Sequence, residues 1–256
     1  MHDRHLLHSP PPPPSKAELF HLYSGTALFS KTLSGPLTSS KRDAIWAAAV
    51  FLGAGTLASI EAQTPEQAWP LRKPCENDLD WLRMYDGKRA LWNIADLYRP
   101  DSCLRSMVEE AAFIHDMAAP DPMLKKLPRE LSKLLGLCGD TNTPTNPFYI
   151  PANILNNLMT MESNQSTVLC FYSFVSLMPL EFKILVQDKD PYALTLIAYW
   201  FALFSQYRAW YMWRRFTLEC QAICIYLERY HSKLTHLDAI LDIPRRLSGL
   251  VHTEIS

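Results

Sequence analysis

Apolar residues recur at intervals of three and four along nearly the whole chain, which is the spacing of one face of an α-helix. In KAELFHLYSGTALFSKTL, residues 16–33, Leu19, Leu22, Tyr23 and Ala27 follow one stripe, weakened by Gly25. Within residues 44–62, the stretch to Ile60 is an uncharged run of about 17 alanines, glycines and larger apolar residues. It is shorter than the roughly 20 residues that a bilayer demands, and its small side chains predict close helix packing instead. TPEQAW reads as a helix start, with Thr64 as N-cap, Pro65 at the first position and Gln67 three residues after the cap. LDWLRMYDGKRALWNIADLYRPDSCLRSMVEEAAFIHDM predicts two further helices. Asp101 or Ser102 caps the second, and Leu104, Met107, Val108, Ala111, Ala112 and His115 share one face. DPMLKKLPRELSKLLGL is interrupted at Pro128. Beyond the turn-rich segment 139–151 come a helix from Pro151 to about Glu162, one in QSTVLCFYSFVSLM, a short one in PLEFKILV, and one in DPYALTLIAYWFALFS capped by Asp190 with Pro191 at its first position.

No segment alternates polar and apolar residues as a strand does. The expectation is an all-α fold, a single globular multi-helix domain of roughly ten helices over residues 18–256, behind a flexible Pro-rich linker at residues 1–17 whose Pro10–Pro14 run reads as a stiff spacer. The composition agrees: 8 glycines and 19 prolines suit proline-marked helix ends better than a sheet full of glycine turns. Segment 139–151 is the best internal break, but its flanks do not differ in composition, so it is not read as a domain boundary.

The densest aromatic stretch, YWFALFSQYRAWYMWRRFTLECQAICIYLERYH, residues 199–231, resolves into two helices. Leu194, Ile197, Phe201 and Phe204 line one; Trp213, Phe216, Cys220, Ile223 and Leu227 line the other. Phe201, Phe204, Trp213, Phe216 and Ile223 are the candidate ligand-binding residues. They either pack the core or also wall an apolar pocket, and the pattern leaves both open. Arg215 and Glu219 pair across one turn on the opposite, outer side. Gln206 and Arg208, followed by Arg214 and Arg215, argue against a membrane span, because a mid-helix arginine costs about 2.5–3.5 kcal/mol there. Cys220 and Cys224 with His231 and His236 lack the arm of about twelve residues that folds a zinc finger; buried structural cysteine is the expectation, and no metal site.

Charge and reactive residues narrow the picture further. The net charge is −1, and the basic pairs at 41–42, 125–126, 214–215 and 245–246 are scattered among acids, so direct nucleic-acid binding by this chain alone is not expected. The six cysteines read as free thiols in a reducing compartment. No phosphate loop, nucleophile elbow or zinc-protease motif occurs. Asp78 with Asp80 and Glu109 with Glu110 read as solvated surface charges, and His115 as a core histidine. The expectation is no catalytic residue, no cofactor and no enzyme activity.

MPLEFKILVQDKDPYALTLIAYWFAL, residues 178–203, followed by Trp210 and Trp213, resembles the C-terminal regulatory domain of fungal zinc binuclear cluster transcription factors, the sterol-uptake-regulator-like group above all. The matching residues are Pro179 and Phe182, then Asp190, Pro191, Ala193, Leu194, Leu196, Ala198 and Trp200. ELFHLYSGTAL, TPEQAWPL and LDWLRMYDGKRALWNIADLYRPDS resemble further segments of that domain, with Ser24-Gly25 where Thr-Thr is common. The resemblance implies an all-helical domain that senses a small hydrophobic molecule and controls transcription, placed in the nucleus or the cytoplasm. Its implied partners are that ligand and a second copy or a full-length factor, with no membrane. The family's DNA-reading cluster needs closely spaced cysteines; here they stand at positions 75, 103, 138, 170, 220 and 224 and cannot form it. The alternatives are a helical protein-interaction or dimerisation protein without ligand, and an accessory enzyme of a secondary-metabolite pathway.

Overall fold

The computed structural model describes residues 15–110, 112–119, 124–137 and 145–250. Among these the chain is all-α: eleven α-helices and two short 3-10 segments, with no strand. The helices are α1 (Lys16–Leu33), α2 (Ser39–Ala58), α3 (Asp80–Ala95), α4 (Arg105–Glu110), α5 (Arg129–Leu134), α6 (Tyr149–Leu158), α7 (Val168–Ser176), α8 (Leu180–Gln187), α9 (Pro191–Phe204), α10 (Trp213–Tyr230) and α11 (Leu237–Ser248). The first fourteen residues of the expected linker, with its proline run, lie outside the described residues, as do Cys138 and most of the turn-rich segment. Lys16 and Ala17, expected in the linker, are already helical. The chain divides into two units: Met1–Ile60 with Leu79–Ala112 and Trp210–Met212, and Glu61–Asp78 with Phe113–Ala209 and Trp213–Ser256.

In the first unit α1 opens with a full capping box. Ser15 Oγ accepts from the Glu18 N–H at 3.2 Å, and Glu18 Oε2 accepts from the Ser15 N–H at 2.7 Å. The helix forms as predicted, but its apolar stripe does not enter a core: α1 buries no residue, and Leu19, Leu22 and Tyr23 are exposed. Its inner side touches α2 through half-buried Phe29, which packs with Leu37 and Trp46 on Ile45, Ala49 and Leu91.

The small residues of α2 do what their size predicts. Lys88 of α3 runs its stem against Gly53, where a Cβ would meet the ammonium nitrogen at 2.7 Å. Burial lowers the Lys88 pKa to about 8. Trp46 and Trp92 meet edge to face at 5.1 Å between ring centres.

A buried ion pair ties the end of α3 to the start of α2. The Arg99 guanidinium donates to Asp43 Oδ1 at 2.5 Å, to the Ala95 carbonyl at 2.7 Å and to the Ser39 carbonyl at 2.8 Å. Asp43 also accepts from Ser102 Oγ and from the Cys103 N–H, each at 2.9 Å. These contacts satisfy a helix C-terminal carbonyl and position the loop before α4. Burial works against the Asp43 charge, yet the Cys103 N–H and Arg99 more than offset it and hold the pKa down to about 2.

Two start signals behaved differently from expectation. Thr64 makes no side-chain cap, and the helix predicted from TPEQAW is only the 3-10 segment Pro65–Gln67. Pro70 explains this: in a second helical turn it would lack the N–H owed to Glu66 and clash with that carbonyl. Gln67 instead accepts from the Gln63 N–H. After Ser102, which accepts from the Leu104 N–H, the predicted long helix is α4 followed by the 3-10 segment Ala112–Ala118. Val108 is buried there but Met107 is exposed; Ala111 and the side chains of Ala112 and His115 lie outside the described residues.

Asp43 titrates at a lower pH when folded than when unfolded, so its contribution is complete above about pH 4 and is lost as the pH falls through about 2. Asp43→Ala leaves Arg99 with only the exposed Asp101 as counter-ion, 3.1 Å from its Nε, and a loss of about 3 kcal/mol is expected by urea unfolding at neutral pH. Asp43→Asn should flatten the fall of stability between about pH 4 and pH 2; an unchanged slope would exclude this role.

Candidate functional site

The predicted site lies in the second unit, where α9 is the axis. Asp190 caps it as expected: Oδ1 accepts from the Tyr192 and Ala193 N–H groups at 3.0 and 2.9 Å, and Pro191 occupies the first position. Directly before it, α8 closes with Lys189 at φ 56°. The Lys189 N–H donates to the Val186 carbonyl and the Asp190 N–H to the Leu185 carbonyl, and Lys189 Nζ holds the Pro70 carbonyl at 2.9 Å. Two helices are thereby joined by a three-residue connection whose backbone N–H groups at Lys189 and Asp190 are bonded to the end of α8.

From Ala193 to Ala202 every residue of α9 is buried, so it packs on all sides, against α6, α7, α8, α10 and α11. Such a helix cannot leave polar side chains unpaired. Thr195 donates back to the Pro191 carbonyl, Trp200 Nε1 to the Phe171 carbonyl at 2.8 Å, and the Tyr199 hydroxyl to the Ile240 carbonyl at 2.7 Å. The last bond has a specific cause. Ile240 sits four residues before Pro244, inside α11. Proline has no N–H, so the Ile240 carbonyl loses its helical donor, and Tyr199 supplies another.

Of the five candidate ligand-binding residues, the structure brings three rings together. Phe201 and Phe216 stack with centres 4.8 Å apart, and Phe204 lies 5.3 Å from Phe216. Phe171, Phe174 and Trp200 join the same cluster. All of these rings are fully buried, as is Ile223 further along α10. Trp213 stands apart at the start of α10, half-exposed, with the Arg208 guanidinium 5.9 Å from its ring centre. The buried rings are one another's partners, so an apolar ligand could enter only by displacing one of them.

Cys220 and Cys224 are buried free thiols on α10. Cys220 Sγ lies 3.4 Å from the Ala198 carbonyl and 3.6 Å from that of Pro244. Hydrogen bonding to Cys220, reinforced by burial, holds the Cys224 thiol well above the usual range. Among the described residues no group of three His, Cys, Asp or Glu side chains is placed to hold a metal ion. Nor is any single helix there long and apolar enough to cross a membrane. The bent pair α7–α8 has the composition for it, but Phe171, Phe174, Phe182 and Val186 of that pair are core residues.

The Arg215–Glu219 pair forms at 2.6 Å, but on a covered side of α10 and not the outer one. The 3-10 segment Pro65–Gln67 packs on this helix, and Glu219 is fully enclosed. Burial pushes its pKa up, against the pull of Arg215 and, further off, Arg72. Its Oε2 has no hydrogen-bond partner. Asp78, expected to be merely solvated, accepts from Arg72 at 2.6 Å and from the Cys75 N–H at 3.0 Å. Asp80 and Glu109 do pair on the surface, with Arg83 and Arg105.

Arg245, one of the basic residues expected to be scattered among acids, is buried and paired with Glu228 and Asp238. At the α10–α11 turn lies a groove of about 460 Å³ that no sequence pattern announces, lined by Glu228, Ser232, Leu234, His236, Leu237, Asp238 and Ala239. The groove sets the carboxylates of Glu228 and Asp238 and the imidazole of His236 beside Leu234, Leu237 and Ala239. No protein-family model, no curated protein and no solved structure matches the chain.

Tyr199→Phe should cost about 1–3 kcal/mol in urea unfolding, the range for a buried carbonyl left without a donor. In a Pro244→Ala background the helix recovers its own N–H donor, and the same change should cost markedly less. Equal costs in both backgrounds would show that Tyr199 does not serve the carbonyl freed by Pro244.

Proposed function

We propose that this chain is an all-helical regulatory domain similar to those of fungal zinc-cluster transcription factors, acting on transcription through a hydrophobic small molecule or a protein partner. One observation carries the reading. The residues of segment 178–203, on which the resemblance chiefly rests, occupy framework positions of the second unit. Pro179 precedes α8 and Phe182 is buried in it. Asp190 and Pro191 start α9. Ala193, Leu194, Leu196, Ala198 and Trp200 are fully enclosed. The hydrophobic ligand, in this reading, takes the place of a ring in the Phe201–Phe204–Phe216 cluster, and the domain works in the nucleus.

A second reading, a helical interaction protein without ligand, is favoured by the exposed apolar residues of α1 and α2.

The test is to fuse the chain to an unrelated DNA-binding module and read a reporter, with and without a panel of sterols and other apolar metabolites. The regulatory reading expects reporter output to depend on the fused chain. A ligand present at 100 times its dissociation constant should add about 2.7 kcal/mol, a rise of roughly 5–10 °C in Tm for a chain of this size. A reporter indifferent to the chain overturns the regulatory reading. A regulated reporter with no thermal shift from the whole panel removes the ligand and leaves the protein partner.

A further inference from the structure

We infer that the outward face of α1, continued by Val50 and Phe51 of α2, is a self-association surface on which a second copy of this chain docks. The inference stands whichever function the domain serves. Eighteen residues of α1 are laid out as a regular, capped helix, yet none is buried. Phe20 is 64% exposed, Tyr23 76% and Phe51 77%, with Leu19, Leu28 and Val50 also open to solvent. A helix of a globular protein normally turns its large apolar side chains to the core, but α1 meets α2 through Phe29 and leaves Leu19, Phe20, Tyr23 and Leu28 open.

Area and charge identify the occupant. The six open side chains expose apolar surface on the order of 700 Å², taking about 200 Å² for a whole aromatic side chain. A standard protein interface buries roughly 800 Å² on each partner, so this patch is large enough for a stable dimer. It is also much larger than scattered surface leucines require. Between Glu18 and Lys31 the helix has no Asp, Glu, Lys or Arg, matching the charge depletion of interface centres. An uncharged apolar patch is complementary to itself, which is what a two-fold contact between identical chains requires. It offers no charge pattern by which to select a different protein. A membrane surface is the competing occupant, but interfacial helices need a strongly charged face opposite the apolar one, and α1 has none.

The experiment is sedimentation equilibrium of the full chain from about 1 to 100 µM, the range in which a micromolar complex forms. The expected mass approaches twice the 29.3 kDa of one chain. Phe20→Glu with Tyr23→Glu should return the protein to a monomer with its far-ultraviolet circular dichroism unchanged, because neither ring is buried. Leu180→Glu, at an exposed leucine of α8, should leave the dimer intact. A wild-type monomer across the range overturns the inference. So does a dimer indifferent to the paired glutamates. So does a monomer that instead sediments with vesicles of anionic phospholipid, which would assign the face to lipid.

Discussion

An α-helix with no solvent face must find every polar partner inside the protein, and α9 is such a helix. This constraint organises the second unit. It explains why Asp190 caps the helix with its own side chain, why Thr195 bonds back along the turn, and why Trp200 and Tyr199 reach carbonyls on α7 and α11. It also fixes the neighbours. Five helices, α6, α7, α8, α10 and α11, pack against α9. The ring cluster of Phe171, Phe174, Trp200, Phe201, Phe204 and Phe216 is the apolar counterpart of the same arrangement, with each ring closing space that another would leave open.

The first unit solves a smaller problem with one buried ion pair. Asp43 and Arg99 stand 56 residues apart in sequence and together satisfy backbone groups at two helix ends and in the loop that follows. Its core is modest, and α1 contributes almost nothing to it. The contrast with α9 separates stability from recognition. Where a helix is wholly enclosed, its residues are chosen by packing; where an apolar helix is left open, its side chains are available to a partner.

Local signals were readable in the sequence and tertiary ones were not. Asp190-Pro191 specifies a helix start through contacts two and three residues away, so the pattern sufficed. The breaks at Pro128 and at Pro179 were readable for the same reason. The period of α1 correctly announced a helix, but period cannot say what lies against the apolar side, and Leu19, Leu22 and Tyr23 turn out exposed. Arg215 and Glu219 were correctly paired by their spacing and wrongly placed outside, because the segment that covers them lies about 150 residues earlier, as the bond from neighbouring Arg214 to Gln63 shows. The five residues proposed to wall a pocket were legible as an aromatic face. That Phe201, Phe204 and Phe216 fill one another's space, and that Trp213 stands half-exposed beneath Arg208, depends on contacts between helices.

The central claim, that α9 is the enclosed axis and α1 an open helix, is tested most directly by native-state hydrogen exchange read peptide by peptide. Amides of residues 193–202 should exchange only through global unfolding, with the highest protection in the chain, while those of α1 should exchange through local opening at far lower cost. Protection of α9 no greater than that of α1 would contradict the account.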